Sequence, residues 1–152
     1  MLGYWGMPEE SAKCLKEGTY PGERVLYTGD LFKIDEEGYL YFIARKDDII
    51  KCKGEKVSPK EIENVLYSLE GILEAAVIGI PDEILGQAVK AYVAIEKGAR
   101  LTDKDILRYC SQHLENYMVP KYLEIRESLP KTTTGKIRKQ DLKVAGQLIT
   151  SS

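Results

Sequence analysis

The stretch Leu129-Pro130-Lys131-Thr132-Thr133-Thr134-Gly135-Lys136-Ile137-Arg138-Lys139 places one lysine, Lys136, directly behind a hydroxyl-rich turn that closes on glycine. Backbone N–H groups, threonine hydroxyls and an ammonium converge there, which is the chemistry of a grip on an oxyanion or phosphate. When an oxygen nucleophile attacks phosphorus, charge builds on the phosphoryl oxygens and on the leaving group. A positioned ammonium stabilises that charge with little proton transfer. Gly135 lets the turn approach a ligand closely, and Thr132 to Thr134 keep the loop polar. Lys136 is therefore the candidate anion contact of this loop. The competing reading is a solvated basic loop before a helix, which is the expected state of Arg138 and Lys139. A Walker-type phosphate loop does not fit, because no glycine stands five residues before Gly135 and neither Ser nor Thr follows Lys136.

Two further polar stretches have matching chemistry. In Tyr27-Thr28-Gly29-Asp30, an ionised Asp30 is acceptor-only and suits the two vicinal hydroxyls of a ribose, though an aspartate after glycine is also a common turn residue. In Ala44-Arg45-Lys46-Asp47-Asp48, Arg45 offers permanently charged, forked donors for ribose or phosphate oxygens, or else is an ordinary surface arginine. Asp47 and Asp48 solvate a turn on the plainest reading. Gly54 reads as a turn glycine, and Lys51, Lys53 and Lys56 as either anion contacts or a solvated face.

Composition limits what can carry these groups. A chain of 152 residues, 43% apolar and 30% charged, has enough material for one domain, or for a small domain plus a fragment. A net charge of −2 gives no general footprint for nucleic acid or an acidic membrane. Cys14, Cys52 and Cys110 are few and far apart and His113 is the sole histidine, so neither a disulfide framework nor a metal site is expected. No apolar run approaches the roughly 20 residues that span a bilayer, and the opening Met1-Leu2-Gly3-Tyr4-Trp5-Gly6 lacks an export leader. A cytoplasmic location is the expectation.

The elements that must position the chemistry follow from periodicity and turn signals. Pro8 to Lys16 reads as a short helix ended by Gly18. Val25–Tyr27, Leu31–Ile34 and Tyr39–Ala44 read as strands, the last two joined by Asp35-Glu36-Glu37-Gly38. This part is expected to be the edge of a larger β-rich domain whose beginning lies upstream. From Asp47 onward the pattern is self-contained. Ser58-Pro59-Lys60-Glu61 predicts a capping box opening a helix to about Leu69 that buries Ile62, Val65, Leu66 and Leu69. Leu73–Ile80 and Ala88–Ile95 read as central strands around the loop Pro81–Gly86. A second helix from Thr102 carries Ile106, Leu107, Cys110 and Leu114. Tyr122–Ile125 reads as an edge strand, and Arg138 to about Leu148 as a terminal helix.

The order of these elements, with three polar motifs at their joints, resembles the adenylate-forming superfamily of acyl-CoA synthetases, peptide-synthetase adenylation domains and luciferases. Tyr27-Thr28-Gly29-Asp30 is similar to the ribose-binding motif, Arg45 to Lys51 with Gly54-Glu55-Lys56 to the hinge motif, and Pro130 to Lys136 to the catalytic-lysine motif. The resemblance implies an α+β chain. Residues 1–46 would be the C-terminal remnant of a large N-terminal AMP-binding domain, and residues 47–152 the small C-terminal domain, a mixed sheet flanked by helices.

It also implies roles. Lys136 would be catalytic in adenylation, and Asp30, Arg45 and Thr28 would bind nucleotide. Asp47 would be the hinge, and Gly54 with Lys56 would line the path of the CoA pantetheine arm. The full-length protein would be an AMP-forming acid–thiol ligase of fatty acid metabolism, taking a carboxylic acid, ATP with Mg2+, and CoA. The fragment would be inactive without its N-terminal domain and able to form homodimers through exposed edge strands. The alternatives are an adenylation domain that loads a carrier protein in nonribosomal peptide synthesis, and a non-catalytic α/β ligand-binding module.

Overall fold

The computed structural model describes residues 1–147, so the expected helix end at Leu148 lies outside the described residues. The chain forms two compact units, Met1–Asp47 and Asp48–Ser152.

In the first unit, helix α1 (Pro8–Cys14) opens on proline with Glu9 and Glu10 in its first turn, where the helix dipole favours negative charge. The helix expected to reach Lys16 stops two residues earlier. Leu15–Glu17 forms strand β1, antiparallel to β2 (Arg24–Leu26), with Leu15 opposite Leu26. Pairing and burial of Leu15, which is only 7% exposed, override its helix propensity. Strands β3 (Asp30–Ile34) and β4 (Leu40–Arg45) form a second antiparallel pair. Their turn is held by Asp35, whose carboxylate accepts the N–H groups of Glu37 at 3.0 Å and Tyr39 at 2.9 Å, while Gly38 takes φ +90°. Leu15 and Ala44 are the buried hydrophobic residues of this unit among those described, and Trp5 is fully exposed.

The second unit is built on a long hairpin, β7 (Ile72–Asp82) with β8 (Gly86–Ile95). Strands β5 (Ile50–Cys52) and β6 (Glu55–Val57) extend the sheet from the Gly86 end of β8, and β9 (Tyr122–Arg126) runs parallel to β8, which makes the sheet mixed. Because successive side chains in a strand point to opposite faces, the hairpin sorts its residues by parity. Ala75, Val77, Val89, Ala91 and Val93 pack with Ile62 and Leu66 of helix α2 (Pro59–Tyr67) and with Ile106 and Cys110 of helix α3 (Asp103–His113). Ala76, Ile78, Ile80, Ala88 and Tyr92 pack with Leu129 and with Leu142 of helix α4 (Lys139–Gln147). The result is the α+β arrangement expected, with helices on both faces of a mixed sheet.

Two local expectations are corrected. Residues 81–86 are not all loop, because β7 continues through Pro81 and Asp82, which pair with Gln87 and Gly86. β7 pairs only with β8, and such an edge strand tolerates a residue without an N–H. Ser58 occupies the N-cap of α2 but makes no side-chain cap bond, so the expected box with Glu61 is not formed. The box occurs instead at α3, between Thr102 and Asp105. Beyond these, residues 50–57 form a hairpin, turning on Lys53 at φ +53° and Gly54 at φ +81°, the pair of positive values that a two-residue type I′ turn requires.

The second unit holds two complete apolar clusters, whereas the first holds two-stranded sheets with scarcely any buried core. Residues 48–152 expressed alone should therefore unfold cooperatively in a thermal circular-dichroism scan, and residues 1–47 alone should show no transition. A cooperative transition in the shorter piece would contradict this division.

Candidate functional site

In the first unit the structure brings Thr28, Asp30 and Arg45 together. Asp30 and Arg45 face each other across β3 and β4, with Arg45 Nε 3.3 Å from Asp30 Oδ1. Arg45 also donates to the carbonyl of Thr28 at 3.1 Å, and the Asp30 N–H donates to Thr28 Oγ1 at 3.3 Å. Gly29, at φ +76°, makes the bend that allows this, and its carbonyl accepts the Lys46 N–H at 2.7 Å. The cluster therefore presents a carboxylate, a guanidinium and a hydroxyl at one strand end, which is a donor and acceptor set for a polyol bearing a negative group.

In the second unit Lys136 lies on a closed loop. An antiparallel bridge joins Lys131 to Ile137, and the Thr132 N–H donates to the Lys136 carbonyl at 2.7 Å. The Gly135 N–H donates to the Thr132 carbonyl at 2.9 Å, and Gly135 itself sits at φ +82°. Thr132 Oγ1 receives the Lys136 N–H at 3.2 Å and lies 2.8 Å from Thr134 Oγ1. The threonines thus shape the turn as well as keeping it polar. Lys136 is exposed, and its ammonium has no ion pair or hydrogen bond among the described residues.

Both ends of this loop are held by carboxylates that sequence reasoning did not single out. Glu74, on β7, accepts the Leu129 N–H at 2.9 Å and pairs with Lys131. Glu63, on α2, pairs with Lys139 at 2.7 Å and accepts the Val77 N–H at 2.9 Å. Their side chains are 13% and 8% exposed. The signal was available in part: Glu74 interrupts the apolar run Ile72-Leu73-Glu74-Ala75, and Glu63 adjoins Ile62 on the buried side of a helix. The Lys131 ammonium, bonded directly to Glu74, is the main cause that holds the Glu74 carboxyl below its ordinary value, against the opposing effect of burial.

Of the remaining predicted residues, Asp47 is exposed in a single 3-10 turn, Lys46–Asp48, at the junction of the two units. Its neighbour Asp48 is 3.4 Å from Lys143 on α4. Gly54 is at the β5–β6 turn, with nothing within 4 Å of the position a Cβ would take. Lys56 is exposed opposite Lys51 on that hairpin. Behind the turn is a mostly apolar depression of about 270 Å³, lined in part by Cys52, Lys53, Leu85, Tyr117 and Lys121. Among the described residues no cluster of three or more His, Cys, Asp or Glu side chains is placed to hold a metal ion, and no helix is long and apolar enough to cross a membrane.

The second unit is thus a mixed-sheet α+β domain that carries an exposed lysine on a Thr-Gly loop beside its terminal helix. Residues 61–136, half of the chain, match the family of AMP-binding enzyme C-terminal domains, and the chain belongs to that family. A long-chain-fatty-acid–CoA ligase of Bacillus subtilis is 42% identical over 142 residues, covering 93% of this chain and 24% of that protein. The ATP-bound crystal structure of MatB from Rhodopseudomonas palustris superposes with a TM-score of 0.84 at 34% identity, covering 97% of this chain and 28% of that one. The amide bond synthetase McbA from Marinactinospora thermotolerans gives a TM-score of 0.79 at 33% identity, covering 94% of this chain and 28% of that one. The chain thus spans about a quarter of the length of the curated relatives it matches.

The Glu74–Lys131 contact has a pH signature. A carboxyl whose folded-state pKa is depressed adds stability above its ordinary value of 4.5, and that contribution disappears as pH falls through the lower folded-state value. Glu74→Gln should be less stable than the parent at neutral pH, and the gap should narrow below about pH 4.5 in denaturant titrations. A gap that is constant across that range would show that the ion pair contributes nothing.

Proposed function

We propose that this chain is the C-terminal part of an AMP-forming acid–thiol ligase, a CoA synthetase for carboxylic acids of the fatty-acid type. The observation that carries the proposal is an exposed ammonium at Lys136, unpaired among the described residues, on a polar loop whose two flanks are tied to the sheet and to α2. The fatty-acid–CoA ligase relative supports the choice of acid and thiol. In the first half-reaction a carboxylate oxygen attacks the α-phosphorus of Mg-ATP, the bond to pyrophosphate breaks, and Lys136 stabilises the charge that builds on the phosphoryl oxygens and the leaving group. Asp30 accepts the ribose hydroxyls, with Arg45 and Thr28 beside it. Mg2+ arrives with ATP as part of the substrate, and no residue of this chain is assigned to it.

In the second half-reaction the CoA sulfur attacks the acyl carbon and AMP departs. Rotation about Asp47 exchanges the Lys136 loop for the β5–β6 turn, where Gly54 leaves room for the pantetheine arm and Lys56 lies near its phosphates. Residues 1–46 then belong to a large N-terminal domain, whose remainder covers the exposed aromatics of the first unit, and the whole protein is cytoplasmic.

In the full-length enzyme Lys136→Ala should lower adenylate formation, read as pyrophosphate release, by at least about a hundredfold. Thioester formation from a supplied acyl-adenylate should be largely spared. Equal loss in both half-reactions would contradict the role given to Lys136. The 152-residue chain by itself should form no acyl-adenylate from ATP and a fatty acid, and detectable product would overturn the division of labour proposed here.

A further inference from the structure

Among the described residues the Lys136 ammonium has no partner of its own, so its location is set by whatever fixes the loop that bears it. Apolar contacts fix the two feet of the loop: Leu129 is buried and Ile137 packs on the same cluster as Tyr92 and Leu142. Between and beyond these feet the backbone has few options for support, because residues 131–136 are mostly exposed. Hydrogen bonds within the turn set its internal shape, and two carboxylates join it to the rest of the unit. Glu74 holds the entry through the Leu129 N–H and Lys131, and Glu63 holds the exit through Lys139.

We propose that Glu63 and Glu74 are positioning residues for Lys136, two carboxylates that tether the entry and exit of its loop and so set where its ammonium is presented. This rests on the reading of Lys136 given above. The physical reason is the burial of the carboxylates. Exposed ion pairs contribute little because water competes for both partners. Here the acidic partners are nine-tenths and seven-eighths withdrawn from water, and a desolvated carboxylate left without its cation is costly, so each retains its lysine. Each carboxylate also accepts a backbone N–H: Glu74, itself on β7, takes that of Leu129 at the loop entry, and Glu63 takes that of Val77 on β7. The loop is thereby referenced to β7 at both of its ends, directly through Glu74 and through the Glu63–Val77 bond. A displacement of about 1 Å in a charged group near the reacting atoms is enough to cost up to a hundredfold in rate.

The test uses the lysine side of each pair, since Lys131→Gln and Lys139→Gln lie at the surface and leave both cores intact, together with the isosteric Glu74→Gln and Glu63→Gln. In the 152-residue chain, hydrogen exchange at the Gly135, Lys136 and Arg138 amides should accelerate about tenfold in the variants, with the amides of Ala91 and Val93 unchanged. Unchanged exchange in the loop overturns the tether. In the full-length enzyme, the lysine variants should reduce kcat for adenylate formation about tenfold with the KM for ATP held within about twofold. Thioester formation from supplied adenylate should stay at the parent rate. Equal loss in both half-reactions marks a purely structural contact and overturns the positioning role. Lys136→Ala run in parallel separates the two ideas. Should it leave adenylation intact, the reading of Lys136 falls and the positioning role falls with it. Should it abolish adenylation while the tether variants behave like the parent, only the positioning role falls.

Discussion

A carboxylate taken out of water must be answered by cations and N–H donors, and the second unit is arranged around that requirement. Glu63 and Glu74 are acids on elements that otherwise bury apolar surface, and each is satisfied by one backbone N–H and one lysine from the Lys136 segment. The same contacts that neutralise these acids connect a polar surface loop to the sheet. The most exposed part of the unit is thus fixed by two of its least exposed charges.

The β7–β8 hairpin makes this possible. Its alternation commits one face to α2 and α3 and the other to α4 and Leu129, so that a charge on either face is near a helix or loop that packs there. Lys90 shows how completely the sheet manages such intrusions. Burial opposes its ammonium, but Glu124 at 2.9 Å and the Tyr92 ring outweigh that effect and hold its pKa above the ordinary value. Arg126 covers Tyr92 as well, with its guanidinium carbon 4.7 Å from the ring centroid.

Much of this was legible in the residues themselves. The largely apolar, β-branched runs Leu73–Ile80 and Ala88–Ile95, the helical spacing of Ile62 and Leu66, and the hairpin turn at Gly38 each follow from short-range rules. The polar motifs were visible because glycine, threonine, aspartate and lysine at fixed offsets have few structural reasons to coincide. What stayed hidden depended on long-range pairing. Leu15 is a strand residue because Leu26 lies opposite it, and the β5–β6 hairpin requires a lysine at positive φ, which no propensity favours. Ser58 and Thr102 both precede helices, yet the box forms at Thr102, where the Asp105 side chain reaches back to the Thr102 N–H at 3.0 Å. The partners of Glu63 and Glu74 are 76 and 57 residues distant along the chain, beyond any local pattern.

The terminal helix completes the argument about how one loop can be both exposed and well placed. Leu142 is fully buried, and its carbonyl accepts the Tyr92 hydroxyl at 3.3 Å, which ties α4 to β8. Lys139 at the start of α4 is bound to Glu63, and Lys143 one turn later is 3.4 Å from Asp48, the first residue of the unit. A helix held at three points by a strand, a helix and the entry of its own unit cannot shift without disturbing all of them. The cycle proposed here needs a unit that turns about Asp47 while Lys136 keeps its place within that unit. A loop carried on its own flexible stem would arrive with its charge spread over many positions, and much of the electrostatic advantage of preorganisation would be lost. In that proposed cycle, tethering the loop to the same sheet that supports the β5–β6 turn would let one rigid-body rotation withdraw one chemical surface and present the other.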